Sequence, residues 1–252
     1  MARQLFVVTG ASRGMGAAIA QQLLAPDHVL LCLSRRTSDA LAATAAATHA
    51  ACEQWAVDLA QPVEAAARLQ RWLEARPVDE FSGATLINNA AALTRIGTID
   101  DCSDAELSAA LRVGLEAPLV LTATFLRATR TWAAAKRVLN ISSGLGRRAM
   151  AGQASYCAAT AGMDHLTRAL ALDEAQRPNG ARLVSLAPGV IDTDMQAHLR
   201  AGDPAGFPEQ AMFLGLKAQG QLTSPADAAA RVLAYLNRAD FGTNPVADVR
   251  DA

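Results

Sequence analysis

The stretch "LFVVTGASRGMG", Leu5 to Gly16, decides the fold. Four apolar residues read as a short buried strand, and glycines at 10, 14 and 16 then lead into a run of helix formers. Glycine serves where backbone must pass close to a neighbour or a ligand, and the first N–H groups of a helix lack intrahelical partners and attract anions. A strand, a glycine turn and a helix start in that order predict the opening of a βαβ unit with room for a dinucleotide's pyrophosphate. The spacing is not the G-x-G-x-x-G of the commonest fingerprint, so the meaning of the motif comes from its place between first strand and first helix.

Further along, "HVLLCLS", "QWAVD", "ATLINN", "RVLNIS" and "RLVSLAPG" repeat the pattern, each followed by a longer stretch with helical spacing. Parallel strands need crossovers, usually helices, so the alternation predicts a doubly wound Rossmann fold, an α/β parallel sheet with helices on both faces. Residues 1–252 read as a single domain with no internal linker. "SDAE", Ser103 to Glu106, is a capping box, and Leu107, Leu111, Leu115 and Leu119 form a stripe predicted to face the core. Ser224, Pro225 and Asp227 start another helix running to about Arg238, and residues 241–250 supply a last strand. "GDPAGFPEQAMFLGLKAQG", Gly202 to Gly220, breaks the alternation and marks a substrate lid within about 193–220.

Composition narrows the partners. The net charge of -1 in 252 residues leaves no electrostatic footprint for nucleic acid or an acidic membrane surface. No unbroken apolar run reaches membrane length, and the N-terminus moves from one Arg directly into the first strand, without a signal-peptide core. Cys32, Cys52, Cys102 and Cys157 show neither a CxxC pair nor a metal-ligand spacing, which reads as free thiols in a reducing cytosol, with no metal site. Only Lys136 and Lys217 are lysines.

The second predicted strand ends in Ser34, Arg35 and Arg36, where an NAD site usually offers a carboxylate to the ribose hydroxyls. A guanidinium suits a 2′-phosphate instead, so Arg35, helped by Arg13 in the glycine loop, points to NADP(H). The alternative is that both arginines are solvated surface residues.

"TGASRGMG", "NNA" at Asn88 to Ala90, Ser142 and Ser143, Tyr156 and "PGVIDT" at Pro188 to Thr193 stand in an order that resembles the short-chain dehydrogenase/reductases over nearly the whole chain. Within that family, "SYC" and "PGVIDTDMQ" look most like the sepiapterin reductase and benzil reductase branch. The resemblance implies a cofactor site built from Gly10, Ser12, Arg13, Gly14, Met15 and Gly16 with Ser34, Arg35 and Arg36. By the same resemblance Asp58 and Leu59 border the adenine, Asn88 and Ala90 the adenosine ribose side and Thr193 the nicotinamide carboxamide, with Pro188, Gly189 and Val190 also in the cofactor site. It implies Ser143 and Tyr156, thirteen residues apart, as the catalytic pair acting on a small carbonyl or alcohol substrate, and a homodimer or homotetramer built through the helices at 103–131 and 153–177.

Hydride delivery to a carbonyl carbon leaves an incipient alkoxide that must be protonated and stabilised, which a phenol and a neighbouring hydroxyl can do. Two departures stand against the family pattern. In "YCAATAGMDH", Tyr156 to His165, Thr160 replaces the lysine that holds the nicotinamide ribose and lowers the tyrosine's pKa, and Gly114 replaces the asparagine of the proton relay. Arg147 or Arg148 is a candidate for the missing charge. Two readings stay open: a specialised carbonyl reductase, or an NADP-binding sensor or assembly partner that has lost catalysis. Asp248 aligns with an acidic residue that anchors pterin in sepiapterin reductases, although a terminal Asp is more commonly solvated.

Overall fold

The computed structural model describes residues 3–251. Its strands are β1 (Arg3–Thr9), β2 (His28–Ser34), β3 (Ala51–Ala56), β4 (Phe81–Asn88), β5 (Ala135–Ile141), β6 (Arg182–Ala187) and β7 (Val246–Asp248). They form one sheet in the order β3-β2-β1-β4-β5-β6-β7, every pair parallel. The chain winds outward from β1 to β3, then crosses back to begin β4 on the other side of β1. That reversal opens a crevice at the carboxyl ends of β1 and β4, where ligands bind in open α/β sheets.

The helices are α1 (Gly14–Gln22), α2 (Asp39–Ala47), α3 (Pro62–Glu74), α4 (Asp104–Leu111), α5 (Ala117–Ala128), α6 (Ala154–Ala175), α7 (Asp194–Arg200), α8 (Gln210–Ala218) and α9 (Pro225–Leu236). The apolar runs of the strands serve both faces. Leu5 and Val7 of β1 join a core with Leu69 of α3 and Leu121 and Phe125 of α5, whereas Phe6 and Val8 face Ile19 of α1 and Val232 of α9. The capping box at Ser103 and the Ser224 cap, whose hydroxyl accepts from Asp227 N–H, form as their sequences require.

The leucine stripe does not face the core. Leu111 and Leu119 are 40% and 45% exposed, and the buried side of this segment is instead Ala110, Ala117, Leu121 and Phe125. A repeat of four drifts about 40° per step around an α-helix. In addition, residues Arg112–Glu116 form a π-helical segment between α4 and α5, which rotates the second half relative to the first. By length and mean hydropathy (1.4 over an 18-residue window) the run Asp104–Ala128 is apolar enough to cross a membrane, which the sequence reading did not anticipate; 44% of that window is buried within the fold.

The region expected to be a lid folds as α7 and α8. Leu199, Phe207 and Phe213 pack on Ile96 and Met150, with Leu145 and Cys157 at the margin of the cluster. α7 and α8 thus rest on segments next to Ser143 and Tyr156.

Glu174, near the end of α6, is 3% exposed and ties that helix to the loops around β5 and β6. Its carboxylate accepts both Arg130 Nη groups at 2.7 and 2.9 Å and Ala181 N–H at 2.8 Å, with Arg177 Nε at 3.4 Å. Burial alone raises its pKa, but the hydrogen bonds from Arg130 and Ala181 and the charges of Arg130 and Arg177 outweigh it, and the net shift is downward. A depressed folded-state pKa stabilises the fold above the unfolded value and loses that contribution as pH falls through the folded one. Glu174→Gln should therefore destabilise the protein by about 3 kcal/mol at neutral pH. In thermal denaturation the gap to wild type should narrow as pH drops below the ordinary carboxylate value of 4.5.

Candidate active site

The turn from β1 into α1 is held by backbone contact. Gly10 has φ +69°, and a Cβ at Gly16 would lie 2.1 Å from the Gly10 carbonyl oxygen, so no larger residue fits there. Asn89 Nδ2 donates to the carbonyls of Thr9 and Gly10 at 3.0 and 3.3 Å, while the Thr9 hydroxyl accepts the N–H groups of Asn89 and Ala90 at 2.9 and 3.0 Å. The end of β4 is thereby stitched to the glycine turn. The first turn of α1 contains no acidic residue and no capping side chain, which leaves its N–H groups for an anion and fits a pyrophosphate.

Around that turn the expected residues divide. Gly14 (φ +56°) faces Thr193, whose Cγ2 would be 3.4 Å from a Cβ built at position 14, so the glycine loop and the strip after β6 meet across the crevice. Ser12 is half-buried, whereas Met15 is packed in the core against α9. Gly189 takes φ +85°, and Val190 accepts Thr223 N–H at 2.9 Å, which fixes the strip from Pro188 to Thr193.

At the adenosine end, Ser34 Oγ donates to the Arg36 carbonyl at 2.8 Å, and Arg35 and Arg36 are exposed. Neither enters an ion pair among the described residues. Arg13 does not join them; it pairs with Asp194 of α7 at 2.9 Å. Asp58 is exposed and accepts from Ala60 N–H at 3.0 Å, while Leu59 is buried in the core. Asn88 turns its side chain inward, donating to Thr122 Oγ1 at 3.1 Å and Asn140 Oδ1 at 2.8 Å. The neighbouring Asn89, which the sequence reading did not single out, makes the contacts to the turn.

The chemical end lies where β5 stops and α6 starts. Ser143 follows β5, its Oγ accepting Leu145 N–H at 3.2 Å, and Tyr156 is in the first turn of α6. Burial lifts the phenol above its ordinary 10.0; the hydrogen bond with Ser143 partly offsets this, and neighbouring Cys157 adds to it. One turn on, Thr160 is buried, and its hydroxyl donates to the carbonyls of Tyr156 at 2.8 Å and Cys157 at 3.3 Å. It is therefore spent on its own helix. Between Thr160, Gly114, Tyr156 and Ala90 lies a cavity of about 10 Å³, room for about one water.

The cations considered for the neighbourhood of Thr160 divide: Arg148 is exposed and enters no ion pair among the described residues. Lys136 is buried at the opposite end of β5, bonded to the carbonyls of Trp132 and Ala134, and Lys217 pairs with Asp192 at 2.6 Å. Arg147 reaches the right region, but its Nε is 3.1 Å from Asp164 Oδ2, so its charge is matched by a buried carboxylate. Asp248 is 6% exposed and bonded to Arg250 Nε at 2.8 Å and Arg250 N–H at 2.9 Å; the Arg250 hydrogen bond holds its carboxyl below the usual range. That carboxylate is already satisfied within the chain.

A glycine turn at the topological switch of a parallel sheet, with a serine and a tyrosine beside its crevice, defines an α/β fold of the dinucleotide-binding class. Residues 4–204 match the family model described as short chain dehydrogenase, and the chain belongs to the short-chain dehydrogenase/reductase family, whose members are nicotinamide-dependent oxidoreductases. It is 32% identical over 235 residues to benzil reductase ((S)-benzoin forming) of Bacillus cereus, covering 93% of this chain and 94% of that one. It is 33% identical over 258 residues to sepiapterin reductase of Mus musculus, covering 97% and 96%. Among solved structures, a metagenomic short-chain oxidoreductase in complex with NADP superposes with a TM-score of 0.71 at 26% identity, covering 97% of this chain and 94% of that one.

A cation one helical turn from a phenol favours the tyrosinate. Thr160→Lys should consequently move the Tyr156 titration to lower pH. The near-ultraviolet tyrosinate absorbance reads this cleanly, because the chain has only two tyrosines and a Tyr156→Phe control leaves Tyr235 alone.

Proposed function

We propose that the chain is an NADP-dependent carbonyl reductase working on small, predominantly apolar carbonyl compounds, with an active site that dispenses with the family's lysine and asparagine. The observation that carries the coenzyme choice is the end of β2, followed by two exposed arginines without ion-pair partners among the described residues, at what would be the adenosine side of the crevice. Similarity to an oxidoreductase solved with NADP supports it. Leu145, Met150 and Cys157, packed against Leu199 of α7 and Phe213 of α8, support an apolar substrate, as does the likeness to a benzil reductase.

Gly10, Gly14 and Gly16 would receive the pyrophosphate, Arg35 and Arg36 the 2′-phosphate, and Thr193 the nicotinamide side. The bound coenzyme supplies the hydride. Tyr156 holds the proton that the carbonyl oxygen takes up, and Ser143 donates a hydrogen bond to the same oxygen as its charge develops. With its pKa raised, Tyr156 stays protonated at neutral pH and is ready as an acid. Alcohol oxidation needs the tyrosinate, which burial of the phenol disfavours, so the site is biased toward reduction.

A second reading is an NADP-binding protein without turnover, acting as a sensor or assembly partner. It is favoured by Thr160 being spent on its own helix and by Arg147 being neutralised. NADPH oxidation over aromatic diketones, quinones and pterin-like carbonyls separates the two. We also propose cytoplasmic residence, consistent with four free cysteines, and a homo-oligomer formed through the α4, α5 and α6 surface, where Leu111, Leu119 and Leu172 are exposed.

Tyr156→Phe should abolish carbonyl reduction while leaving the NADPH dissociation constant within about twofold, since only the proton donor is removed. Arg35→Ser should weaken NADPH by about tenfold and leave NADH nearly unchanged in calorimetry, because the lost fork is made only to the 2′-phosphate.

A further inference from the structure

Asp164 lies two turns beyond Tyr156 on α6 and is 1% exposed. Its Oδ1 accepts the hydroxyl of Ser142 at 2.7 Å and that of Ser185 at 2.6 Å, and its Oδ2 accepts Arg147 Nε at 3.1 Å. These donors come from the end of β5, the middle of β6 and the loop that carries Ser143. Arg147 continues the chain of contacts through its Nη2 to the Ala247 carbonyl of β7 at 3.0 Å. One buried carboxylate thus gathers three segments onto the helix that bears the phenol.

The loop is pressed close as well as hydrogen-bonded. A Cβ at Gly146 would come within 2.9 Å of Asp164 Oδ2 and 3.0 Å of the Thr160 carbonyl oxygen, so the turn after Ser143 lies directly on the helix face. Ser142, whose hydroxyl is held by Asp164, is covalently next to Ser143. A buried carboxylate with both oxygens engaged by three donors is costly to disturb and geometrically exact in its demands. Burying it on a reductase helix where an apolar residue would pack more simply calls for a reason.

We infer that Asp164 is the positioning residue for Ser143: by clamping Ser142 and Arg147 it sets the height of the Ser143 hydroxyl against the Tyr156 phenol. This rests on the reading of Ser143 and Tyr156 as the reducing pair. In a site with no lysine, the serine is the one hydrogen-bonding partner that pulls the phenol's pKa down, so its placement matters more than in a site steadied by charge. Asp164 touches neither substrate nor coenzyme in this scheme and acts only through the loop.

The test uses two variants of the full chain. Ser142→Ala deletes a single link and leaves the Arg147 pair intact; Asp164→Asn removes the charge and disrupts the whole clamp. For Ser142→Ala, kcat for carbonyl reduction should fall by about tenfold, with KM and the NADPH dissociation constant within about twofold, since small misplacements of a reacting group act on the transition state. Asp164→Asn should fall further, by about a hundredfold if it folds. For Ser142→Ala the alkaline limb of kcat/KM should also move to higher pH, because a loosened Ser143 no longer holds the phenol down. In a Ser143→Ala background Ser142→Ala should cost nothing more. An unchanged kcat and pH limb, or an equal loss with and without Ser143, overturns the assignment. A wild type that binds NADPH but reduces no carbonyl overturns the reductase reading and this inference with it, an outcome distinct from an active wild type whose Ser142→Ala variant is equally fast.

Discussion

The close approach of Gly16 to the carbonyl of Gly10 is the constraint on which the molecule depends. Because no Cβ separates them, α1 begins immediately over the end of β1, and the Asn89 amide can bridge the carbonyls of Thr9 and Gly10. That bridge brings the end of β4 beside the turn at the point where the winding of the sheet reverses. The crevice, the bare N-terminus of α1 and the approach of Thr193 to Gly14 all follow from it. The distal parts of the site are then placed by the parallel sheet, whose carboxyl ends collect Ser143 after β5 and the strip from Pro188 to Thr193 after β6.

Much of this was legible in the residues themselves. The strands announced themselves as apolar runs because a parallel sheet covered on both faces leaves no polar alternation to blur them. Caps at Ser103 and Ser224 were equally plain, since a side-chain oxygen satisfying a helix N–H is a local event. What escaped notice was non-local or silent in composition. The pairing of Arg13 with Asp194 joins residues 181 apart, which no window of sequence reveals, and it removes Arg13 from the partnership expected with Arg35. Asn88 and Asn89 are the same residue type side by side, and only alternation along β4 decides which turns inward. Asp164 sits in "AGMDHL" as an ordinary helical acid until the fold closes three donors around it.

The electrostatics of the site are those of dipoles more than of charges. Arg147 is matched by Asp164, Lys217 by Asp192, and Arg13 by Asp194, so these three basic residues are each closed on a carboxylate. Tyr156 is left among hydroxyls and backbone, where the neutral phenol is the comfortable form. An acid that gives up its proton reluctantly can still serve when the oxygen receiving it is becoming an alkoxide, a far stronger base. In the proposed reduction, catalysis depends on how well Ser143 and the phenol are held, and the hydrogen bonds of the loop after β5 run to α6, β6 and β7.

The π-helical segment at Arg112–Glu116 gives the long helical run a double allegiance. Upstream of it, α4 presents its small buried side, Ala110, to the fold; downstream, α5 delivers Leu121 and Phe125 to the sheet. The single surplus residue acts as a gearwheel tooth between the two, so the angular settings of the halves are independent choices. Because the extra residue is taken up within one wider turn, removing it would let the segment close into ordinary α-helix with Leu121 and Phe125 still toward the sheet. A change of length, more than of side-chain identity, is what this part of the chain has absorbed.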